Sequence, residues 1–218
     1  MINLVVSKNF VVVSDLDGTL TNQPSSWQFV LEGLDLWYER GENNLDLFLN
    51  KKITYDEFIR LDVELLKGIP VKDYLAIINK ITFRKGLNEL FEYLQTLQSN
   101  NIILSSGLYD VAERLKAQVP IGTIYANEIH RNKQTLTGQY TKNVGWHDKD
   151  LLMKKIKLNH SDSYIIAFGD SLADLPLMEN SDLSFSCFSN SSELNSKATF
   201  TITHLKDAID DIEKTFCE

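Results

Sequence analysis

Carboxyl and hydroxyl side chains follow three short apolar runs of this 218-residue sequence, each where a turn begins. The three groups are Asp15, Asp17, Gly18 and Thr19; Ser105, Ser106 and Gly107; and Asp170 and Asp174. Ser, Thr and Asp are also preferred at helix N-caps, so one such group alone says little about function. Asp15 and Asp17 say more, because residues two apart on an extended chain point to the same side. Carboxylates so close repel each other unless a cation or a proton lies between them.

With Asp170 added, this pair forms a cluster whose potential ligands are all oxygen atoms. Such a set suits Mg²⁺ better than Zn²⁺, which is usually bound through nitrogen and sulfur. Carboxylates alone would repel a phosphate group, but Mg²⁺ can bridge carboxylate and phosphoryl oxygens. The residues themselves therefore predict phosphoryl chemistry with an aspartate nucleophile and Mg²⁺ as the cofactor.

Elements of two kinds are predicted to position these groups. Short, continuous apolar runs indicate buried parallel strands at residues 10–13, 102–104 and 164–168. Apolar residues at spacings of three and four indicate helices at residues 86–97, 110–119 and 148–158. Strand, polar turn and helix in repetition predict an α/β fold with a Rossmann-like parallel sheet, whose ligands bind at the carboxyl ends of the strands. The serine-rich stretch 184–196 is predicted to be a loop.

A helical insertion is predicted between the first strand and the rest of the sheet, because residues 21–83 contain no convincing buried strand. Its helices are predicted at residues 27–38, 54–67 and 71–81, with Thr54 and Glu57 as a capping box at the start of the second. We therefore predict a catalytic core of residues 1–21 and 84–218 and a cap domain of residues 22–83. A cap over the polar turns would exclude water and favour a small substrate over a macromolecule.

The composition limits the classes of partner. Lys and Arg total 22 against 30 Asp and Glu, a formal charge of −8, which disfavours nucleic-acid and membrane-surface binding. No apolar run approaches the ~20 residues that span a bilayer. The first 14 residues lack the features of a signal peptide, and Cys187 and Cys217 lack zinc-site spacing. We expect a cytoplasmic monomer or homodimer.

Four segments, in order along the chain, resemble the motifs of the haloacid dehalogenase superfamily. They are DLDGT at 15–19, ILSSG at 103–107, Lys149 at the start of a helix, and GDSLAD at 169–174. Within that superfamily the chain resembles the phosphoserine phosphatase-like group, which shares a helical cap between the first two motifs. The stretches LLKGIP at 65–70, ANE at 126–128 and LTG at 136–138 are also similar to that group.

The resemblance implies a role for each matching residue. Asp15 would attack phosphorus to form an aspartyl-phosphate, and Asp17 would protonate the leaving alkoxide and then activate water. Ser105 and Lys149 would bind the transferring phosphoryl group. Mg²⁺ would be held by Asp15, the main-chain carbonyl of Asp17, and Asp170. Asp174 would join the metal positions or orient Lys149. The remaining predicted substrate-binding positions are Gly18, Thr19, Ser106, Gly107 and Asp62.

The superfamily also contains dehalogenases, phosphonatases, phosphomutases and transport ATPases. Dehalogenases lack an aspartate equivalent to Asp17, because they have no alkoxide to protonate. A phosphonatase would need a cap lysine for a Schiff base, which cannot be assigned, and a transport ATPase would need membrane spans. A phosphomutase remains open. So does a non-catalytic phosphate-binding relative, although the presence of every position that the chemistry needs favours an enzyme.

The sequence differs from that group at the positions that recognise the substrate. Phosphoserine phosphatases hold the amino acid with a glutamate after the first motif and an arginine in the cap, and these positions correspond to Pro24 and Asp62. An arginine pairs with a carboxylate, whereas an aspartate repels it. We therefore expect a substrate other than phosphoserine, with an amino-alcohol phosphate as one candidate. Arg60 lies close in sequence, so a shift of register would restore phosphoserine phosphatase as the alternative.

Overall fold

A computed structural model describes residues 9–217 of the chain. The strands are β1 (Asn9–Ser14), β2 (Asn100–Leu108), β3 (Thr123–Arg131), β4 (Leu136–Thr141), β5 (Ser163–Gly169), β6 (Leu183–Cys187) and β7 (Phe200–Ile202). The helices are α1 (Ser26–Gly33), α2 (Glu42–Leu49), α3 (Tyr55–Leu65), α4 (Val71–Ile78), α5 (Leu87–Thr96), α6 (Tyr109–Lys116), α7 (Asp148–Asn159), α8 (Leu175–Glu179), α9 (Ser192–Lys197) and α10 (Asp207–Cys217). Within this described range, no helix has the length and apolar character needed to cross a membrane.

The strands form one sheet in the order β4-β3-β2-β1-β5-β6-β7, and every neighbouring pair is parallel except β3 and β4. Strand β1 is central because its apolar side chains are buried on both faces of the sheet. Strands β2, β3 and β4 follow one another on one side of β1, and β5, β6 and β7 follow on the other side. Parallel pairing of Ser14 with Phe168 brings the turn after β1 beside the turn after β5. A crevice at such a switch point is where ligands of α/β sheets bind.

The predicted fold class is confirmed, and the three predicted strands correspond to β1, β2 and β5. The prediction of a loop at 184–196 is wrong, because strand β6 and helix α9 occupy most of it. Ser184 and Ser186 can be buried in a strand because their hydroxyls find partners there: Ser184 with Thr199 and Ser186 with Asn195.

Helices α1 to α4 lie between β1 and α5, as a helical cap inserted in the core. The prediction of a helix over residues 27–38 is wrong at its end, because α1 ends at Gly33. Beyond that point Asp35 and Glu39 adopt left-handed backbone conformations, with φ of 57° and 67°. An irregular turn over Trp37–Gly41 then leads into α2, which was not predicted. Helix α3 begins as predicted after Thr54, whose hydroxyl accepts from the Glu57 amide.

The cap is joined to the core at two places. At its base, Thr21 and Phe83 form an antiparallel bridge, flanked by hydrogen bonds from the Asn22 amide to the Thr82 carbonyl and from the Arg84 amide to the Leu20 carbonyl. The predicted boundaries at 22 and 83 lie beside this bridge and remain predictions. The second place is the loop 68–71, described next.

The loop 68–71, between α3 and α4, pairs with the start of β4. The Gly68 amide donates to the Leu136 carbonyl, the Leu136 amide to the Ile69 carbonyl, and the Val71 amide to the Gln134 carbonyl, each at 2.9 Å. We call this pairing the seam. It extends the sheet edge with cap backbone, so the cap and the β3–β4 hairpin share main-chain hydrogen bonds.

A buried polar contact reinforces the cap on the same side. The hydroxyl of Tyr74, on α4, donates to one oxygen of Asp110 on α6 at 2.9 Å, and Arg131 on β3 binds the other oxygen at 3.0 Å. The Tyr74 side chain is fully buried, so its hydroxyl depends on this partner.

Replacing Tyr74 by Phe should therefore lower the free energy of unfolding by about 1–3 kcal/mol, because a partly buried charged acceptor loses a donor. Tyr109→Phe is the matched control, since the Tyr109 hydroxyl donates to Glu113 at the protein surface. Its effect should stay within about 0.5 kcal/mol. Urea denaturation of the three proteins measures both values. Equal effects of the two substitutions would contradict a structural role for the Tyr74–Asp110 contact.

Candidate active site

Lys149 lies at the centre of the three polar turns. Its ammonium group donates to Asp15 Oδ1 and to Asp174 Oδ1, each at 2.6 Å, and all three side chains are almost completely buried. Asp15 follows β1, Lys149 is in the first turn of α7, and Asp174 ends the short turn after β5. The fold thus brings together residues 134 and 25 positions apart.

Both carboxylate oxygens of Asp174 are hydrogen-bonded within this arrangement. Its second oxygen accepts from the amides of Asp170 and Ser171 and from the Ser171 hydroxyl, at 3.0–3.1 Å. These bonds fix the turn that carries Asp170 while the first oxygen holds Lys149. Asp174 lies within the acidic cluster, but its geometry is that of a residue that orients its neighbours.

The cluster has more carboxylates than cations. Oxygen atoms of Asp15, Asp170 and Asp174 lie within 4.8 Å of one another, and Asp17 lines the same cavity. Among the described residues that line this cavity, Lys149 is the one cation. Burial raises the pKa of Asp15 to about 8 despite the nearby Lys149, and burial together with Asp174 raises the pKa of Asp170 to about 7.

Lys149 itself remains protonated. Burial alone would lower its pKa, but Asp15 and Asp174 more than offset that effect and raise it. The raised pKa values of Asp15 and Asp170 favour their neutral forms, whereas the raised pKa of Lys149 favours ion pairs. Both 2.6 Å contacts of Lys149 are direct, so it forms charged pairs with Asp15 and Asp174. A further cation would remove the conflict by stabilising the ionised aspartates.

Asp17 occupies a different environment. Its Oδ2 atom accepts from the amide and the hydroxyl of Ser26, at 2.7 and 2.6 Å, while its buried Oδ1 atom has no hydrogen-bond partner among the described residues. Burial raises the pKa of Asp17, and the bonds from Ser26 partly offset the rise. A carboxyl group with a raised pKa and one unpaired oxygen toward a cavity is suited to carry a proton as a general acid.

Glycines allow the close approaches on which this geometry depends. A Cβ atom at Gly107 would collide with the Asp17 carboxylate, and one at Gly18 would collide with that of Asp170. Gly18 also has φ +80°, a backbone conformation that side chains disfavour. Both positions therefore require glycine for packing, and Gly18 requires it for backbone geometry as well.

The carboxyl end of β2, where the pairing with β3 is irregular between Leu104 and Leu108, forms the opposite wall. Ser105 is buried, and its hydroxyl accepts from the Gly107 amide at 3.1 Å. The Ser106 carbonyl accepts from Trp27 Nε1 and from Asn127 Nδ2, both at 2.9 Å. Ser105, Ser106 and Gly107 all line the cavity, as predicted substrate-binding or catalytic residues should.

Gly18 and Thr19, also predicted to bind substrate, do not line the cavity. The Gly18 amide donates to the Gln23 carbonyl at 2.7 Å, so this main-chain donor is used within the loop. The Thr19 hydroxyl donates to Asp170 Oδ1 at 2.9 Å. The two residues lie against Asp170 and support its position from outside the cavity.

Above these turns the cavity, about 310 Å³ in volume, extends to the cap. Asp62 faces it from α3, with Oδ1 accepting from Asn44 Nδ2 at 2.8 Å and with Oδ2 buried and unpaired among the described residues. Burial raises the pKa of Asp62 to about 7, and the bond from Asn44 partly offsets the rise. Arg60 lies on the outer face of α3, paired with Glu57 and Glu64. Asp62, and not Arg60, therefore faces the cavity.

Aromatic side chains form most of the cap wall. Four of them, which we call the aromatic group, have ring centroids 5.3–6.2 Å apart: Phe48, Tyr55, Phe58 and Trp146. Trp27 and Trp37 also line the cavity. All three tryptophans of the sequence therefore contact the cavity.

Three supporting residues were not found from the sequence. Ser26 binds Asp17, Asn44 orients Asp62, and Asn127 joins the Ser106 carbonyl to the loop before α7. Asn127 belongs to the ANE stretch that resembles the phosphoserine phosphatase-like group. The resemblance therefore marked this residue but assigned it no role. Ser26 and Asn44 lie outside every motif, and only the fold reveals their partners.

Comparison with known proteins agrees with the motifs. The family model of haloacid dehalogenase-like hydrolases matches residues 12–179. A probable phosphoserine phosphatase of Schizosaccharomyces pombe is 29% identical over 185 residues, which cover 81% of this chain and 60% of that protein. A phosphoserine phosphatase of Lactococcus lactis is 25% identical over 186 residues, covering 79% of this chain and 81% of the relative. The chain thus spans about 60% of the length of the Schizosaccharomyces pombe protein.

Solved structures resemble the fold. A phospho-aspartyl intermediate analogue of phosphoserine phosphatase superposes with a TM-score of 0.76 at 19% identity, covering 94% of this chain and 99% of that one. A substrate-bound phosphoserine phosphatase gives a TM-score of 0.76 at 18% identity, with coverage of 94% and 99%. At these identities the likeness establishes the arrangement of core and cap, and the chemistry has to be argued from the residues.

Because burial raises the pKa of Asp62 above its unfolded value, the folded state binds that proton more tightly. Stability from this group is present at low pH and is lost as the pH rises toward and past about 7. Asp62→Asn should therefore stabilise the protein more at pH 8 than at pH 5, by on the order of 2 kcal/mol.

Urea denaturation from pH 5 to pH 8 measures this difference. The matched control is Glu64→Gln, which removes an exposed carboxylate from the same helix. A stability difference between Asp62→Asn and the wild type that is the same at both pH values would show that Asp62 is not a buried titrating group.

Proposed function

Because this chain belongs to the haloacid dehalogenase-like hydrolase family, we propose that it is a Mg²⁺-dependent phosphatase that hydrolyses a small phosphate monoester. The observation that carries the proposal is the buried contact of Asp15 with Lys149, beside an Asp17 that lines the same cavity and has one oxygen without a hydrogen-bond partner among the described residues. These are a nucleophile, a phosphate-binding cation and a general acid within one cavity. We also expect a cytoplasmic monomer or homodimer, without nucleic-acid or membrane partners.

The residues fit a bound Mg²⁺ ion. The cluster offers oxygen ligands within 4.8 Å of one another, and it is short of positive charge because one lysine faces several buried carboxyl groups. Asp15, Asp170 and the main-chain carbonyl of Asp17 would hold the ion, with Asp174 supporting them. When bound, Mg²⁺ supplies charge that offsets the negative phosphoryl oxygens.

The reaction has two displacements. A carboxylate oxygen of Asp15 bonds to phosphorus as the bond from phosphorus to the ester oxygen breaks, and Asp17 gives its proton to the departing alkoxide. Asp17, now ionised, removes a proton from water, which attacks phosphorus and releases phosphate and the Asp15 carboxylate. Ser105 and Lys149 hold the transferring phosphoryl oxygens throughout.

The cavity argues against phosphoserine as the substrate. Phosphoserine carries a carboxylate in addition to its phosphate, and recognition would require a second cation or a suitable set of donors. Lys149, the one cation that lines the cavity within residues 9–217, is already bonded to Asp15 and Asp174. Asp62 would repel a carboxylate from the cap side. We therefore propose a leaving group without a carboxylate, with an amino alcohol as its class.

A second candidate is phosphoserine phosphatase, because the relatives in both comparisons carry that name. It would require the substrate carboxylate to be bound by neutral donors, such as the main-chain amides beside Ser106. The two candidates share the chemistry of Asp15 and Asp17 and differ only in the leaving group, so a panel of phosphate esters separates them.

Asp15→Asn should reduce phosphate release by on the order of 10³-fold or more, because the amide cannot act as the nucleophile. Folding should be retained, since Asn keeps an oxygen for Lys149. Phosphate release with Mg²⁺ from phosphoserine, amino-alcohol and sugar phosphates, before and after EDTA, is the measurement. Asp150→Asn is the matched control, an exposed carboxyl on α7 paired with Lys154.

EDTA should stop the wild-type reaction, and restored Mg²⁺ should recover it. Substantial activity of Asp15→Asn with Mg²⁺ present would show that the nucleophile is another residue. A wild-type protein that binds phosphate esters but never hydrolyses them would favour the non-catalytic alternative.

Asp17→Asn should separate the two displacements. With p-nitrophenyl phosphate the leaving group needs little protonation, so p-nitrophenol should appear in a rapid burst equal to the enzyme concentration. Loss of the general base should slow the later steady state by roughly 10²–10⁴-fold. Stopped-flow absorbance measures both phases. Equal slowing of the burst and of the steady state would contradict separate roles for Asp17.

A further inference from the structure

Asp62 Oδ2 is a buried polar atom without a hydrogen-bond partner among the described residues, on a side chain that is 1% exposed and lines the cavity. Such an atom carries a desolvation cost that a ligand can repay. Asn44 already occupies the other oxygen and fixes the direction of the carboxyl group. The unpaired oxygen therefore marks a position in the cavity where a positive group would be stabilised.

The aromatic group surrounds the same part of the cavity. Tyr55, Phe58 and Asp62 are spaced at i, i+3 and i+7 on α3, so they share one helix face. Phe48 from α2 stacks on Phe58, with 8° between the ring planes, and Trp146 from the loop before α7 meets Phe48 at 72°. Elements of both cap and core thus contribute rings to one cavity wall.

These rings give this part of the cavity an aromatic surface with few hydrogen-bond acceptors. A primary ammonium group has three N–H donors to satisfy, and within the aromatic group the Tyr55 hydroxyl is the one oxygen acceptor. A quaternary ammonium group has no N–H donor, and aromatic rings together with a carboxylate are the groups that stabilise its charge.

We infer, building on the proposed phosphatase activity, that the aromatic group and Asp62 bind the leaving group as a quaternary ammonium ion. The substrate class is the phosphate ester of a trimethylammonium alcohol. Its two ends match the two ends of the cavity: the phosphate lies toward Asp15 and Lys149, and the ammonium group lies toward Asp62. A wall that only packs the cap would instead take any apolar group of the same shape.

Choline phosphate and 3,3-dimethylbutyl phosphate distinguish these two cases, because they have nearly the same shape and differ by one nitrogen and its charge. The value of kcat/KM for choline phosphate should exceed that for the neutral ester by at least about tenfold. It should also exceed the values for ethanolamine phosphate and phosphoserine. Equal values for the two isosteres, or preference for ethanolamine phosphate or phosphoserine, would overturn the inference.

Variants test the residues separately. Asp62→Asn should lower kcat/KM for choline phosphate by about tenfold or more while leaving that for the neutral ester nearly unchanged. Trp146→Leu, at a position that is 45% exposed and so tolerant of replacement, should act in the same direction. Glu64→Gln, on the outer face of α3, is the control and should alter neither value. Parallel losses with both esters would assign Asp62 a structural role and contradict the inference.

A binding measurement separates this inference from the proposed reaction. Choline chloride, which lacks phosphate, should quench tryptophan fluorescence of the wild type more strongly than 3,3-dimethylbutanol does, and Asp62→Asn should weaken the choline effect. Selective choline binding without hydrolysis of any ester would support the cation site and refute the phosphatase. Hydrolysis without selectivity for the cation would support the phosphatase and refute the cation site.

Discussion

The ammonium group of Lys149 bonds two buried carboxylates at once, and the surrounding fold keeps all three groups out of water. Buried charges are costly unless they are paired and hydrogen-bonded, so removing either partner would leave an uncompensated charge. The arrangement still leaves the cluster with too little positive charge. A site of this kind favours binding of a divalent cation first and of a phosphate second. Part of the net negative charge of the chain is thus concentrated at this site.

The parallel sheet is what makes this contact possible. Asp15 and Asp170 follow neighbouring strands β1 and β5, so their turns meet at one edge, and α7 brings Lys149 across from the side. Close approach then depends on the glycines beside Asp17 and Asp170, where any larger residue would collide with a carboxylate. The polar side chains of the candidate site are thus held by rigid elements, while the cap supplies the facing wall of the cavity.

The site core was predictable from the sequence, whereas its supports and the cap wall were not. Motif spacing identified Asp15 and Lys149. Asp15 follows an apolar run that indicates a strand, and Lys149 lies at the start of a segment with the apolar spacing of a helix. Ser26 and Asn44 gave no signal, since their partners lie elsewhere in the chain and their types are common at turns and on surfaces. The end of α1 was missed because Asp35 adopts a left-handed conformation without being glycine. Strand β6 was missed because its serines have partners that only the fold brings near.

The seam between loop 68–71 and β4 makes the cap and the β3–β4 hairpin one cooperative unit. Local unfolding of the cap would expose the backbone of the hairpin, so amides on both sides of the seam should become open to hydrogen exchange together. The inserted segment is consequently not a module that can be exchanged by itself. A change in cap sequence that alters the loop geometry has to be matched at the hairpin, which couples changes in the cavity wall to strand β4, whose residues do not line the cavity.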